Sequence, residues 1–170
     1  HYEDLDRLDR CLDALGAQTV PHERFEIVVA DNMSPIGAAM VAARIAGRAR
    51  LVPAPEKGAG PARNAGVAAS RGRLLAFTDA DCIPEPGWLA AGLAALDRFD
   101  LVGGRMVVLV EGGRAKSGAE AFESVFAFDN ESYVRDKAFT VTANLFCPRS
   151  LFDATGPFRV GMSEDVEWCL

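Results

Sequence analysis

The chain has 170 residues and a formal net charge of -6; 49% of its residues are hydrophobic and 25% are charged. This composition is typical of one ordinary folded domain and excludes disordered and fibrous proteins. The negative charge argues against nucleic acid or an anionic membrane as the main partner, because both bind basic surfaces.

Helix and strand patterns alternate along the first part of the chain. Leucines at helical spacing, continuous apolar runs, and Gly and Pro stop signals define the elements. In chain order they are helix 3–16, strand 25–30, helix 36–47, strand 50–53, helix 61–72, strand 74–78 and helix 88–96. A Gly- and Pro-rich loop over residues 53–60 precedes the third of these helices.

The second part of the chain has weaker patterns. They predict strands over 101–102 and 106–110, a helix over 117–135, a strand over 139–146 and a helix beginning at Glu164. The alternation favours an α/β fold with a parallel sheet joined by right-handed crossovers. Such sheets bind ligands outside the carboxyl ends of their strands, so the polar residues at these ends are candidate site residues.

Two carboxylates follow the clearest buried strand. Asp79 and Asp81 come directly after residues 74–78, and side chains two positions apart on an extended backbone point to the same side. Two like charges so close are most easily held ionised by a bound cation, and oxygen ligands suit Mg²⁺ or Mn²⁺. The alternative is a solvated turn with no ligand.

A second acidic position and a flexible loop lie at the same predicted edge of the sheet. Asp31 ends the strand over 25–30, where a carboxylate can accept hydrogen bonds from a ligand, although an Asp-Asn turn cap would explain it equally well. Lys57 and Arg63 flank a helix start that offers backbone N–H groups to an anion. Both cations are also explained as solvent-exposed residues near a helix cap.

Glu164 and Asp165 begin the last predicted helix. Acidic residues are common in a first helical turn because they complement the helix dipole. A carboxylate is also the right group for a general base, provided that it reaches a substrate hydroxyl.

Other catalytic patterns are missing from the sequence. His1 and His22 are not placed like catalytic histidines, and no Gly-x-Ser-x-Gly elbow occurs. The four cysteines are scattered, which favours neither a zinc site nor a disulfide framework and suggests a reducing, cytosolic setting. No apolar run approaches the roughly 18–20 residues that a membrane-spanning helix needs.

Five short motifs occur in a fixed order along the chain. They are Asp31-Asn32-Met33-Ser34, Gly60-Pro61-Ala62-Arg63-Asn64-Ala65-Gly66, Phe77-Thr78-Asp79-Ala80-Asp81, Thr142-Ala143-Asn144-Leu145-Phe146 and Glu164-Asp165. Together they resemble the family 2 glycosyltransferases, which bind nucleotide-diphospho-sugars. The resemblance implies their GT-A fold, a Rossmann-like α/β fold with a mixed, mostly parallel sheet flanked by helices. The resemblance covers nearly the whole chain.

The resemblance implies an inverting transfer of a sugar from a nucleotide-diphospho-sugar, with uridine as the favoured base, to an acceptor hydroxyl. Asp31, with Asn32 beside it, would bind the nucleobase. Asp79 would bind the ribose side of the nucleotide and share with Asp81 a divalent metal, Mn²⁺ or Mg²⁺, which bridges the diphosphate. Lys57 and Arg63 would assist the phosphates.

In the same scheme Asp165 would deprotonate the acceptor, a saccharide or another hydroxyl compound. The family implies a role in polysaccharide or glycoconjugate biosynthesis. It also implies a cytoplasmic location, or a peripheral one at the inner face of the membrane.

The chain departs from the family pattern at both ends. The family begins with a valine-rich strand before the first helix and continues beyond the Glu-Asp helix into an acceptor-binding region. We therefore expect residues 1–170 to be a single GT-A catalytic core truncated at both ends.

Two other functions compete with this interpretation. A phosphatase of the haloacid dehalogenase type would use Asp79 as its nucleophile, although Ile83 stands where that family has Thr or Val. A non-catalytic module that binds sugar nucleotides would have no evident need for Asp165. A Rossmann dehydrogenase is disfavoured, because Arg63 stands where the third Gly of its motif should be.

Overall fold

The protein alternates helices and strands as far as residue 103, and the computed structural model describes residues 1–110, 117–161 and 163–170. The helices are α1 (Leu5–Gly16), α2 (Ala38–Ile45), α3 (Ala59–Ala69), α4 (Trp88–Leu96), α5 (Gly118–Phe126), α6 (Asn130–Lys137), α7 (Arg149–Thr155) and α8 (Glu164–Cys169). The strands are β1 (Val28–Asp31), β2 (Arg50–Pro53), β3 (Leu74–Thr78), β4 (Val102–Gly103) and β5 (Asn144–Pro148). The predicted α/β class is confirmed.

The strands form two small sheets within the described ranges. In the first, β1 and β2 are parallel, with Asp31 opposite Pro53. In the second, β5 lies between β3 and β4 and is antiparallel to both. Within the described ranges the first sheet is thus parallel and the second antiparallel, so the parallel arrangement that the alternation predicts holds for β1 and β2 alone. Candidate site residues lie at the carboxyl ends of β1 and β3.

Two apolar clusters hold the layers together. The first joins α1 and α2 to β1, and its buried members are Leu8, Cys11, Leu12, Leu15, Val29, Val41 and Ile45. The second joins β3 and β5 to α3, α7 and α8, and its buried members are Val67, Leu75, Phe77, Leu145, Cys147, Phe152, Phe158 and Trp168. Because α8 contributes Trp168 to this core, the last turn of α8 is fixed by apolar packing.

A cavity of about 590 Å³ lies between the two sheets. Residues of both β1 and β3 line it, together with Leu8 and Leu12 of α1. At one end, the amino group of His1 donates to the Ala30 carbonyl at 2.7 Å, and the Asn32 N–H donates to the His1 carbonyl at 2.9 Å. This reciprocal pair is the hydrogen-bond pattern of a parallel ladder, so His1 extends the first sheet beyond the free edge of β1.

The strands over 50–53 and 74–78 and the helix over 88–96 lie where the sequence predicts them. The single helix predicted over 117–135 is wrong, because α5 and α6 are separate. Asp129 caps α6 by accepting from the Ser132 N–H, and buried Asn130 donates to the Gly104 carbonyl and to Thr140 Oγ1. The chain breaks here because Asn130 must turn inward to reach these partners.

The strand predicted over 139–146 begins only at Asn144. The Val141 and Thr142 N–H groups donate to the side chains of Asn130 and Asp165, so they make no strand ladder. Residues 106–110 form no strand, and Val107 and Leu109 are exposed. The helix α7 was missed, although Pro148 before it and Gly156 after it are start and stop signals.

Among the residues that the structure describes, no helix is both long and apolar enough to cross a bilayer.

Candidate functional site

The candidate site lies where the carboxyl ends of β1 and β3 approach the start of α3. A cavity of about 360 Å³ opens there, and Asn32, Arg63, Asp79 and Asp81 are among its lining residues. Asp31 immediately precedes Asn32. The fold therefore brings together residues that are up to 50 positions apart in the sequence (81 − 31).

Asp31 and His1 both have buried side-chain atoms without a hydrogen-bond partner among the described residues, and Asp31 is the candidate site residue of the two. Its side chain is only 5% exposed, and its Oδ1 atom is buried with no hydrogen-bond partner in the described part of the chain. A buried carboxylate oxygen without a donor is costly to the folded protein. Such an atom is suited to accept a hydrogen bond from the N–H or O–H group of a ligand.

Asn32 is also buried, but its side chain is engaged by the protein itself. Its amide nitrogen donates to the carbonyls of Ala54 and Glu56 at 3.0 and 2.6 Å, and its oxygen accepts from the Gly58 N–H at 2.8 Å. These bonds tie the loop between β2 and α3 to the end of β1. Direct contact of Asn32 with a nucleotide stays a prediction.

Lys57 lies on this loop and is exposed. Its Nζ atom is 5.9 Å from the centre of the Tyr2 ring, and Tyr2 lines the cavity. A cation over an aromatic face is attracted by the ring electrons. Lys57 is therefore near the mouth of the cavity, where its predicted phosphate contact remains untested.

Asp79 and Asp81 both face the cavity and differ in their partners. Asp79 Oδ1 accepts from Arg63 at 2.6 Å, whereas Asp81 Oδ2 is 3.6 Å from an Arg7 nitrogen. The Cys11 thiol donates to the Asp79 carbonyl oxygen at a sulfur–oxygen distance of 3.6 Å. Burial raises the pKa of this thiol to about 12, so it stays protonated and able to donate at neutral pH.

The two carboxylates suit a divalent cation that also takes ligands from elsewhere. In the described ranges no three His, Cys, Asp or Glu side chains converge on a point that could hold a metal. Mg²⁺ in proteins typically uses only one or two carboxylates and completes its shell with water and substrate phosphate. Asp79 and Asp81 therefore fit a metal that enters with a phosphorylated ligand.

Arg63 joins the end of β3 to the start of α8. Its side chain is only 14% exposed, and its two terminal nitrogens donate to Asp79 Oδ1 at 2.6 Å and to Glu164 Oε1 at 2.8 Å. Each end of the guanidinium fork is thus occupied by a carboxylate. The predicted contact of Arg63 with phosphate is untested.

Asp165 is held by the segment that precedes β5. Its Oδ1 atom accepts from the Thr142 N–H at 3.0 Å and from Thr142 Oγ1 at 2.6 Å. Thr142 is only 1% exposed, so this anchor is fixed in the protein interior. The arrangement orients one oxygen of the predicted base.

Three contributors were not singled out from the sequence. Arg7 pairs with Asp81, Tyr2 lines the cavity, and Thr142 holds Asp165. Arg7 and Tyr2 lie within or just before α1 and carry no local motif. Thr142 stands in one of the five motifs, but only the folded chain shows that it contacts Asp165.

Comparison with known proteins agrees with the resemblance seen in the motifs. The family model described as glycosyl transferase family 2 matches residues 1–167. The chain is also similar to glycosyltransferase AglE of Haloferax volcanii, with 29% identity over 175 residues. That alignment covers 98% of this chain and 57% of the relative, so the chain spans little more than half of its length.

Solved structures with the same fold include two nucleotide-sugar complexes. One is the mannosyltransferase PcManGT from Pyrobaculum calidifontis in complex with GDP-Man and Mn²⁺, with a TM-score of 0.71 and 22% identity over 98% of this chain and 48% of that chain. The other is S. aureus TarS 1–349 in complex with UDP-GlcNAc, with a TM-score of 0.69 and 18% identity over 99% of this chain and 50% of that chain. At these identities the likeness establishes the fold.

Proposed function

This chain belongs to glycosyl transferase family 2, and on that basis we propose that it is the donor-binding catalytic core of an inverting glycosyltransferase. The reaction moves a sugar from a nucleotide-diphospho-sugar to an acceptor hydroxyl. The observation that carries the proposal is the Oδ1 atom of Asp31, which is buried at the end of β1 without a partner among the described residues. Its chain neighbour Asn32 lines the cavity together with Asp79 and Asp81.

The proposed role of Asp31 is to accept a hydrogen bond from the nucleobase. A buried carboxylate oxygen without a partner among the described residues can accept from a ring N–H, and N3–H of uracil, the base that the family resemblance favours, is such a donor. Guanine presents two donors on the same edge, from N1 and from the exocyclic amine. The structural neighbours carry GDP-Man in one case and UDP-GlcNAc in the other, so the choice of base needs a direct test.

We propose that Asp79 and Asp81 hold Mn²⁺ or Mg²⁺ together with the diphosphate of the donor. A divalent metal at this place supplies positive charge to the leaving diphosphate. Arg7 lies 3.6 Å from Asp81, and Arg63 donates to Asp79, so each carboxylate has a cationic neighbour before the donor binds. Lys57 remains the proposed phosphate contact of the chain, whereas the two terminal nitrogens of Arg63 are already engaged by Asp79 and Glu164.

Asp165 is the proposed general base. Thr142 occupies its Oδ1 atom with two hydrogen bonds, which leaves Oδ2 to take the proton of the acceptor hydroxyl. A base that is oriented before the acceptor binds loses little entropy in the reaction. Attack from the side opposite the leaving diphosphate inverts the configuration at the sugar carbon.

We further propose that the core is completed by an extended segment before His1 and by an acceptor-binding region after Leu170. The cavity between β1 and β3 and the parallel ladder contacts of His1 support the first of these segments. The length of the relative AglE, of which the chain covers 57%, leaves room for both. Polysaccharide or glycoconjugate synthesis at the cytoplasmic side of a membrane is the biological setting that we propose.

The experiment that tests this function is a thermal-shift panel on the longest available form of the protein. The panel contains UDP, GDP, UDP-GlcNAc and GDP-mannose, each with Mn²⁺ and with EDTA. A ligand that binds only the folded state raises the midpoint by mass action. We expect a Mn²⁺-dependent rise for one base, and no rise with any nucleotide would refute the proposal.

The phosphatase alternative is set aside, because the family match covers residues 1–167. A turnover assay distinguishes a non-catalytic binding module from an enzyme. An enzyme releases UDP or GDP from its nucleotide sugar in the presence of an acceptor, whereas a binding module gives the thermal shift alone.

A further inference from the structure

Arg63 joins two parts of the site that are far apart in the sequence. It donates to Asp79, 16 positions away at the end of β3, and to Glu164, 101 positions away at the start of α8. We infer that Arg63 is a positioning residue: it holds α8, which carries the proposed base Asp165, in a fixed position relative to the donor site. This inference rests on the proposed function for the roles of Asp79 and Asp165.

The helix α8 depends on such contacts because it is short. It has six residues, and its N-cap Ser163 makes no side-chain capping hydrogen bond. Two contacts tie the first two residues of α8 to other elements: Arg63 donates to Glu164, and Thr142 donates to Asp165. At the other end, Trp168 packs in the core and donates to the Gly156 carbonyl. The first turn is therefore positioned by polar contacts and the last by apolar packing.

The charges explain why the connection requires an arginine. Asp79, Glu164 and Asp165 are negative groups on adjoining elements, and the largely buried guanidinium lies between the first two. A planar fork can donate to two carboxylates at once with different nitrogens, whereas a lysine ammonium is a single point charge. Lysine at position 63 would keep the charge and lose one of the two bonds.

The positioning role and the predicted phosphate role have different consequences. A phosphate contact adds affinity for the nucleotide, so its loss weakens nucleotide binding. A positioning contact links α8 to the occupied or empty donor site. Its loss therefore leaves nucleotide affinity nearly intact and changes the position of α8 and the rate of its backbone hydrogen exchange. The two roles are therefore separable by measuring both quantities on one set of variants.

The test uses hydrogen exchange of the peptide covering residues 163–170 and calorimetric binding of UDP, and of GDP in parallel, with Mn²⁺. The variants are Arg63→Lys, Glu164→Gln and the double variant. Arg159→Lys is the matched control, because Arg159 forms an ion pair with Glu167 of the same helix at 2.9 Å.

We expect Arg63→Lys and Glu164→Gln each to speed hydrogen exchange in this peptide by about tenfold. The double variant should add nothing further, because both substitutions break the same contact between Arg63 and Glu164. Nucleotide binding slows exchange of the peptide in the parent. In Arg63→Lys this slowing is lost, while the Kd for the nucleotide stays within threefold. Arg159→Lys behaves like the parent.

A Kd weakened tenfold or more in Arg63→Lys, with exchange of residues 163–170 unchanged, would overturn the positioning role in favour of a phosphate contact. Additive effects in the double variant would also overturn it. If the parent binds neither UDP nor GDP, the proposed function fails, and the exchange rates without nucleotide still decide whether Arg63 holds α8.

Discussion

Thr142 holds one oxygen of Asp165 with two hydrogen bonds, from its backbone N–H at 3.0 Å and from its hydroxyl at 2.6 Å. The two residues are 23 positions apart, and Thr142 is almost fully buried. A carboxylate fixed in this way presents its second oxygen in a defined direction. This relationship gives the proposed base a fixed orientation before any substrate binds.

Replacement of Thr142 by Val tests that orientation. Valine has nearly the same shape but removes the hydroxyl, so we expect kcat for sugar transfer to fall roughly 10- to 100-fold because the base is displaced. The affinity for UDP or GDP should stay within a factor of about two. Thr142→Ser keeps the hydroxyl and should retain most of the activity in the same assay. Equal kcat values for the Val variant and the parent would contradict the role of this hydroxyl.

Asp31→Asn should weaken nucleotide binding and stabilise the free protein. The variant removes a buried charge whose Oδ1 atom lacks a partner, so the midpoint of thermal unfolding should rise without ligand. The Kd for the preferred nucleotide should increase roughly 10- to 100-fold, since a hydrogen bond to a charged group contributes about 1.5–3 kcal/mol. Thermal unfolding and calorimetry measure the two effects.

The control for this variant is Asp153→Asn, which makes the same charge change on the exposed surface of α7. It should alter neither quantity. A lower midpoint for Asp31→Asn together with unchanged nucleotide affinity would show that Asp31 serves the fold alone.

The sequence predicted the donor side of the site better than the acceptor side. The donor side follows from local patterns, whereas the acceptor side depends on contacts between residues far apart in the sequence. The strand over 74–78 is a continuous apolar run, so its ends are defined locally and the positions of Asp79 and Asp81 follow from them. Asp31 follows in the same way from the apolar run before it. At each of these positions a local pattern decides where the carboxylate lies.

Residues 117–146 were predicted less well because distant polar contacts override their local patterns. Asn130 turns inward to bind Thr140 and the Gly104 carbonyl, which divides one helical pattern into α5 and α6. Asp165 takes the backbone donor of Thr142 and so helps to delay the start of β5. Single-sequence patterns contain no information on such pairs, and the link from Arg63 to Glu164 was missed for the same reason.

Gly92→Ala should destabilise the protein by about 1–3 kcal/mol through overpacking. A Cβ atom at Gly92 of α4 would lie 2.4 Å from two ring atoms of Phe146, which is 2% exposed and packs on Trp88. Gly16→Ala, at a helical position with nothing within 4 Å of the added atom, should be neutral or stabilising. Urea unfolding at neutral pH measures both variants, and equal stabilities would show that the α4–β5 contact is looser than described.

The two most deeply buried thiols should make the protein less stable in alkali. Burial raises the pKa of Cys11 and of Cys147 to about 12, whereas an unfolded thiol has its ordinary pKa near 9. Above that ordinary value the unfolded state loses protons that the folded state keeps. The contribution of these thiols to the free energy of unfolding is therefore constant below about pH 8, and it falls by up to about 1.4 kcal/mol per pH unit for each thiol up to about pH 12.

Cys11→Ser separates this effect from other alkaline transitions. Serine does not ionise in this range, so the slope of stability against pH should be smaller by about 1.4 kcal/mol per unit above pH 9. Parallel slopes for the parent and the Ser variant would show that Cys11 ionises equally easily in the folded state.

The most direct test of the proposed function is a calorimetric titration of UDP, and of GDP in parallel, into the parent protein and Asp81→Asn, each with Mn²⁺ and with EDTA. Asp81 is half-exposed at the cavity and pairs with Arg7, so the variant should fold normally. The account predicts Mn²⁺-dependent binding of one nucleotide by the parent and a Kd at least tenfold larger for Asp81→Asn. Equal affinities for the two proteins, or binding by the parent that persists unchanged in EDTA, would contradict it.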